Sequence, residues 1–142
     1  MANYYATIRT NYFSVKDEMA FRELMAKAYG QDTVHLFEQV QDDGSIKFGF
    51  GCNGGISGIF EPDDEECDDT AMDRFLDTLQ QLVCADDAII ITAVGNEKLC
   101  YVIGIATLIT SRELQFVDLR PITLELAQHL LGNAKFQTQM NY

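Results

Sequence analysis

Positive charge is scarce in this 142-residue chain: ten Lys and Arg stand against 22 Asp and Glu, a formal net charge of −12. That balance argues against direct binding to nucleic-acid phosphates or an anionic membrane surface, because like charges repel. No stretch is long and apolar enough to span a bilayer. The longest apolar run, Cys100–Ile109, is about half of the ~18–20 residues required. The opening MANYYATIRTNYF lacks the basic start, apolar segment and small-residue cleavage site of a secretory signal. These absences lead to the expectation of a cytoplasmic protein with no membrane contact.

Cysteine is present but unpatterned. Cys52, Cys67, Cys84 and Cys100 include no Cys-x-x-Cys pair, and reducing conditions would keep them as free thiols. Cys100 is expected in the core, and Cys67, within an acidic run, at the surface. Only two histidines occur, His35 and His129, in separate elements and without a partner at zinc-like spacing. Ser57 lies in Gly55-Ile56-Ser57-Gly58, which is not a Gly-x-Ser-x-Gly nucleophile elbow and leads into no helix. No catalytic residue, cofactor or metal is therefore assigned, and the balance leans away from an enzyme.

What is there suffices for one α+β domain over residues 1–142, with 133–142 as a loosely ordered tail. The chain is organised around 86–119, read as three antiparallel strands, Ala88–Val94, Leu99–Ile109 and Leu114–Leu119, rich in β-branched and aromatic residues. Leu99–Ile109 is nearly all apolar, which predicts a central strand covered on both faces. Upstream, Tyr4–Tyr12 alternates with Ala6, Ile8 and Thr10 on one face and Tyr5, Thr7 and Arg9 on the other. Ser14 and Asp17 mark a helix start, Phe21, Leu24 and Met25 its buried face, and Gly30 its stop. Thr33–Val40 and Ser45–Phe50 flank the Asp42-Asp43-Gly44 turn of a hairpin. Ile56–Phe60 is a short strand weakened by Gly58.

A second helix begins near Asp68–Thr70, burying Met72, Phe75, Leu76, Leu79 and Val83. A last helix opens at Arg120-Pro121 and closes at Gly132, with Ile122, Leu126, Leu130 and Leu131 expected to face the sheet. The result is a mostly antiparallel sheet with about three helices on one face. Shifting the chain by 54 positions lays Phe21 on Phe75 and Met25 on Leu79, a hint of strand–helix–hairpin duplication. Ile91 and Ile103 are the core positions where a buried charge is expected to do most harm.

The negative charge is concentrated. Glu61, Asp63, Asp64, Glu65, Glu66, Asp68, Asp69, Asp73 and Asp77 face Arg74 alone within one segment. The run lacks the ligand alternation and mid-loop glycine of a calcium-binding hand. It suits docking to a basic protein or imitation of a row of phosphates; a solvated loop and helix start is the plainer account. A second candidate is Gly49-Phe50-Gly51-Cys52-Asn53-Gly54, which matches G-x-G-x-x-G. Its dinucleotide mechanism needs a helix after the glycines, and Ile56–Phe60 and Pro62 supply none. Gly51, Asn53, Gly54, Gly55 and Ser57 remain an alternative ligand-binding set, against the simpler reading of turn or bulge glycines.

Tyr4–Phe13 with Val15-Lys16-Asp17 and Phe21-Arg22-Glu23-Leu24 resembles small acidic accessory proteins of bacterial mobile elements such as conjugative transposons. Phe48–Gly51, Gly54–Gly58 and Gly95–Leu99 share that pattern. The resemblance implies a cytoplasmic accessory protein and carries no assigned activity. Since acidic antirestriction proteins travel on such elements, it also implies an interaction role against DNA-directed proteins. Two functions stand side by side: a non-enzymatic acidic protein contacting a basic, nucleic-acid-binding partner, and a small-ligand-binding domain or enzyme built on the glycine-rich turn. A homodimer through an uncovered strand edge is compatible with both.

Overall fold

The computed structural model describes residues 5–59, 71–97 and 100–139. The alternating opening forms strand β1 (Tyr5–Thr10), with Ile8 and Thr10 buried on one face and Thr7 and Arg9 exposed on the other. Thr10 is the polar exception in the core. Its hydroxyl donates to the Asn11 carbonyl (2.8 Å) and accepts from the Phe50 N–H (3.0 Å), so burial leaves it satisfied.

Helix α1 (Glu18–Lys27) starts later than Ser14: Asp17 is the cap, accepting the Ala20 N–H. It also stops before Gly30, because Ala28 turns extended and Ala28–Gly30 becomes the short strand β2. Gly30 serves close approach instead, since a Cβ there would lie 2.1 Å from the Gly55 carbonyl oxygen. The predicted hairpin is β3 (Val34–Val40) and β4 (Ile46–Asn53), turning at Gly44 with φ 87°. Strand β5 (Ile56–Ile59) leaves the main sheet and pairs with β2. Helix α2 (Ala71–Leu82) follows, then the meander β6 (Ile89–Glu97), β7 (Cys100–Ile109) and β8 (Leu114–Asp118), and finally helix α3 (Leu119–Leu131).

The fold is α+β, as expected, with six antiparallel strands in the order β3-β4-β1-β6-β7-β8. Register fixes two faces. Cys52, Ile8, Ala93 and Ile105 stand abreast on the core face, while Asn53, Thr7, Val94 and Gly104 stand abreast on the other. Buried Phe21, Leu24 and Met25 of α1, and Phe75, Leu76 and Leu79 of α2, pack with the core face. The connections interlock: Lys16 donates its N–H to the Leu82 carbonyl and Cys84 to the Ser14 carbonyl.

Three further expectations do not hold, and the helices do not all share one face of the sheet. The meander forms, but β7 is next to the edge and β1 and β6 are the central strands; Val102 is half exposed on the outer face. An apolar run shows that a strand can be buried, not that partners cover both its faces. Cys100, at the sheet end beside the bulge that pairs it with Glu97, is exposed rather than buried. Cys67 lies outside the described residues, and Cys52, Cys84 and Cys100 are free thiols. Ile122, Leu126, Leu130 and Leu131 do not face the sheet; all are exposed. Helix α3 starts over the outer face, where Leu119 covers Gly104, while α1 and α2 occupy the core face.

The 54-residue shift carries α1 into α2 and β3-β4 onto β6-β7, and Phe21 and Phe75 are both fully buried. The two hairpins nevertheless meet β1 through different members, β4 in the first and β6 in the second. Residues 133–139 run without helix or strand from Gly132, whose left-handed φ of 64° ends α3.

Ile91 is buried at the sheet centre and Ile103 only half-buried. Ile91→Asp should therefore lower unfolding free energy by at least ~3 kcal/mol in a urea titration, and Ile103→Asp by clearly less. Equal losses would contradict this assignment of the core. Asp118 caps α3, and hydrogen bonds from the Arg120 guanidinium, then from its backbone N–H, hold the carboxyl below its ordinary range. A lowered folded-state value stabilises above the unfolded value of about 4 and is lost as pH falls through the folded one. The melting-temperature advantage of wild type over Asp118→Asn should thus shrink as acid is added below about pH 4.

Candidate functional site

The acidic segment spans the approach to α2. Glu61, Asp63, Asp64, Glu65, Glu66, Asp68 and Asp69 lie outside the described residues. Asp73 and Asp77 are described, and both are exposed one turn apart on α2. Phe75 and Leu79 point the opposite way into the core with no exposure, so helical periodicity holds the two carboxylates outward. Among the described residues no group of three or more His, Cys, Asp and Glu could hold a metal ion.

The glycine-rich stretch has an account in packing. On β4, Phe48 and Phe50 enter the core and Gly49 and Gly51 therefore face outward. Their missing side chains leave a shallow lane across β4, and Arg9 of β1 crosses it. Its guanidinium stacks 3.9 Å from the centroid of Phe37 on β3 and also meets Tyr12, whose hydroxyl accepts from Nη2 at 3.3 Å. A Cβ at Gly51 would lie 3.0 Å from the Ile8 carbonyl oxygen, with Arg9 and Phe37 next in reach. His35 stacks on Phe37 at 6.4 Å; His129 is on the exposed side of α3. The two histidines are not brought together.

At the turn, Gly54 and Gly55 adopt φ 87° and 85°, as turn glycines do. Gly54 is covered by the Gln31 side chain, and Gly58 (φ 143°) lets β5 approach Ala71 at the start of α2. Asn53 and Ser57 are exposed, and Asn53 accepts from the Thr7 hydroxyl at 3.3 Å. Beside them runs an open groove of about 650 Å³ lined by Met25, Tyr29, Gln31 and Val34 among others. It is broad rather than enclosed, and residues of the alternative ligand set do not line it.

Sequence reasoning missed the outer sheet face. In a chain of net charge −12, no outward position on β1, β3, β4 or β8, nor on β6 before its bulge, carries a carboxylate. Arg9 and Lys47 are there instead. Strict alternation in β1 and the Phe-Gly-Phe-Gly of β4 are the signals that could have found it. No family model matches this chain, and neither curated proteins nor solved structures give a match.

If the glycines serve packing, Gly51→Val should lower the melting temperature by displacing Arg9 from Phe37. An Arg9→Ala/Phe37→Ala double-mutant cycle should give a coupling of about 0.5–1 kcal/mol. A Gly51→Val protein that melts like the parent would leave the glycine to another purpose.

Proposed function

We propose that the chain is a non-enzymatic acidic interaction protein whose Glu61–Asp77 surface contacts a basic, nucleic-acid-binding protein. The observation that carries this reading is the density of carboxylates against one Arg, with Asp73 and Asp77 held outward by the buried stripe of α2. Fixed negative charge on a helix and the segment before it can occupy a groove otherwise used by phosphates, and it also steers association over a Debye length of about 8–10 Å. The resemblance to mobile-element proteins extends the reading: an accessory protein of such an element, acting in the cytoplasm, gains from occupying DNA-directed host proteins in an antirestriction-like role. No described helix is long and apolar enough to cross a membrane.

The test is affinity purification on the full chain at low salt, eluted with rising salt and followed by identification of what elutes. A basic nucleic-acid-binding protein should leave as salt rises and should be missing with an Asp63→Asn/Asp64→Asn/Glu65→Gln/Glu66→Gln variant. Identical elution from both proteins would remove the proposal.

A further inference from the structure

Helix α3 carries an apolar stripe that its own sheet does not cover. Leu119, Ile122, Leu126 and Leu130 recur at i, i+3, i+7 and i+11, which places them along one side of the helix. The half-buried residues Leu124, Ala127 and Gln128 lie on another side, and α3 packs on β7 and β8. The patch continues onto the sheet. Leu119 rests over Gly104, whose cross-strand neighbour is Val94, and Val102 follows on the same face of β7. These six side chains are between 42% and 83% exposed.

We propose that this patch is the interface of a symmetric homodimer in which α3 packs against α3 of a second copy across a two-fold axis. Two observations select a second copy as the occupant. The first is area. The six residues expose on the order of 600 Å², the upper end of the largest apolar patch on a typical soluble monomer and most of the ~800 Å² each partner gives to a standard interface.

The second is charge. Residues 100–142 hold Arg112, Arg120 and Lys135 against Glu113, Asp118 and Glu125, so this part is neutral and the whole −12 resides in residues 1–99. Two chains of like charge meet at least cost where neither carries net charge, and an isologous contact needs a surface compatible with itself. A neutral Leu/Ile stripe meets that condition; the acidic α2 surface does not. A basic partner, conversely, gains no attraction here.

Analytical ultracentrifugation of the full chain from about 1 to 200 µM tests the proposal. Wild type should reach twice the 16.0 kDa chain mass. Leu126→Glu places a charge in the seam twice per dimer and should weaken association by at least ~30-fold, with the far-UV circular dichroism unchanged. Asp73→Asn/Asp77→Asn, on α2, should leave the dimer intact. Should Leu126→Glu disturb folding, Leu130→Gln, at the most exposed of the four stripe positions, gives the same readout. A monomeric wild type across the range would overturn the proposal. So would a folded stripe variant that remains dimeric, which would assign self-association to a strand edge.

Discussion

Five phenylalanines must share one dry space, and most of the structure follows from how they do it. Phe13 stands edge-on to Phe21 at 5.6 Å and to Phe50 at 6.2 Å; Phe21 lies 4.9 Å from Phe48, and Phe50 is 5.8 Å from Phe75. They come from the segment just after β1, from α1, from β4 and from α2, and none is more than 1% exposed. Packing at these separations joins two helices, a strand and the segment bridged to it through contacts no single element could make alone. It also fixes register. With Phe48 and Phe50 both committed inward, β4 cannot slip by one residue without exposing both rings and driving Gly49 and Gly51 into the core.

That commitment gives the sheet two unlike faces. The inward face collects aromatic and aliphatic bulk under α1 and α2. The Arg22 guanidinium lies over the Phe48 ring and joins α1 to β3 through Glu38, so the apolar layer is sealed at one edge by a charged pair. The outward face near β4 is flat because of its glycines, and Arg9 fills the space with a stacked guanidinium rather than an extended side chain. Charge is divided accordingly. Among the described residues, carboxylates gather in turns, at helix starts and on the outer side of α2, and the outward sheet positions before the β6 bulge lack them. The chain thereby presents two unlike surfaces, one of fixed negative charge and one of uncharged apolar area.

Much of this was legible in the sequence wherever two signals agreed. Alternation in β1 and the Asp42-Asp43-Gly44 turn between apolar runs gave elements close to those observed. Most of the buried stripe of α2 is legible because Phe75, Leu76 and Leu79 recur on a face opposite Asp73 and Asp77; Met72 is only half-buried, and Val83 is buried past the helix end, in a bridge to Val15. The acidic segment was equally plain, though only its α2 portion falls within the described residues. Single-signal readings fared worse. Gly30 resembled a helix stop and is a contact point for Gly55; Ser14 resembled a cap, and Asp17 does that work. The apolar content of β7 suggested a centre, but the order of strands in a sheet depends on pairings distant in sequence, and β1 takes that place by joining β4 to β6.

The misplacement of α3 has a more general cause. Periodicity reveals that a helix has an apolar stripe, not which surface covers it. Here no linker separates β8 from α3: Asp118 ends the strand, caps the helix and is followed at once by Leu119. A helix leaving an edge strand so abruptly can fold over either face of the sheet. Helices α1 and α2 already occupy the core face, and at Gly104 the outer face offers a position without a side chain, into which Leu119 fits. One helix side then rests on β7 and β8, and the remaining apolar stripe is turned away from the sheet by the same geometry. The exposed Leu and Ile of α3 thus follow from how the faces are divided: α1 and α2 fill the core face, and α3 is left to the outer one.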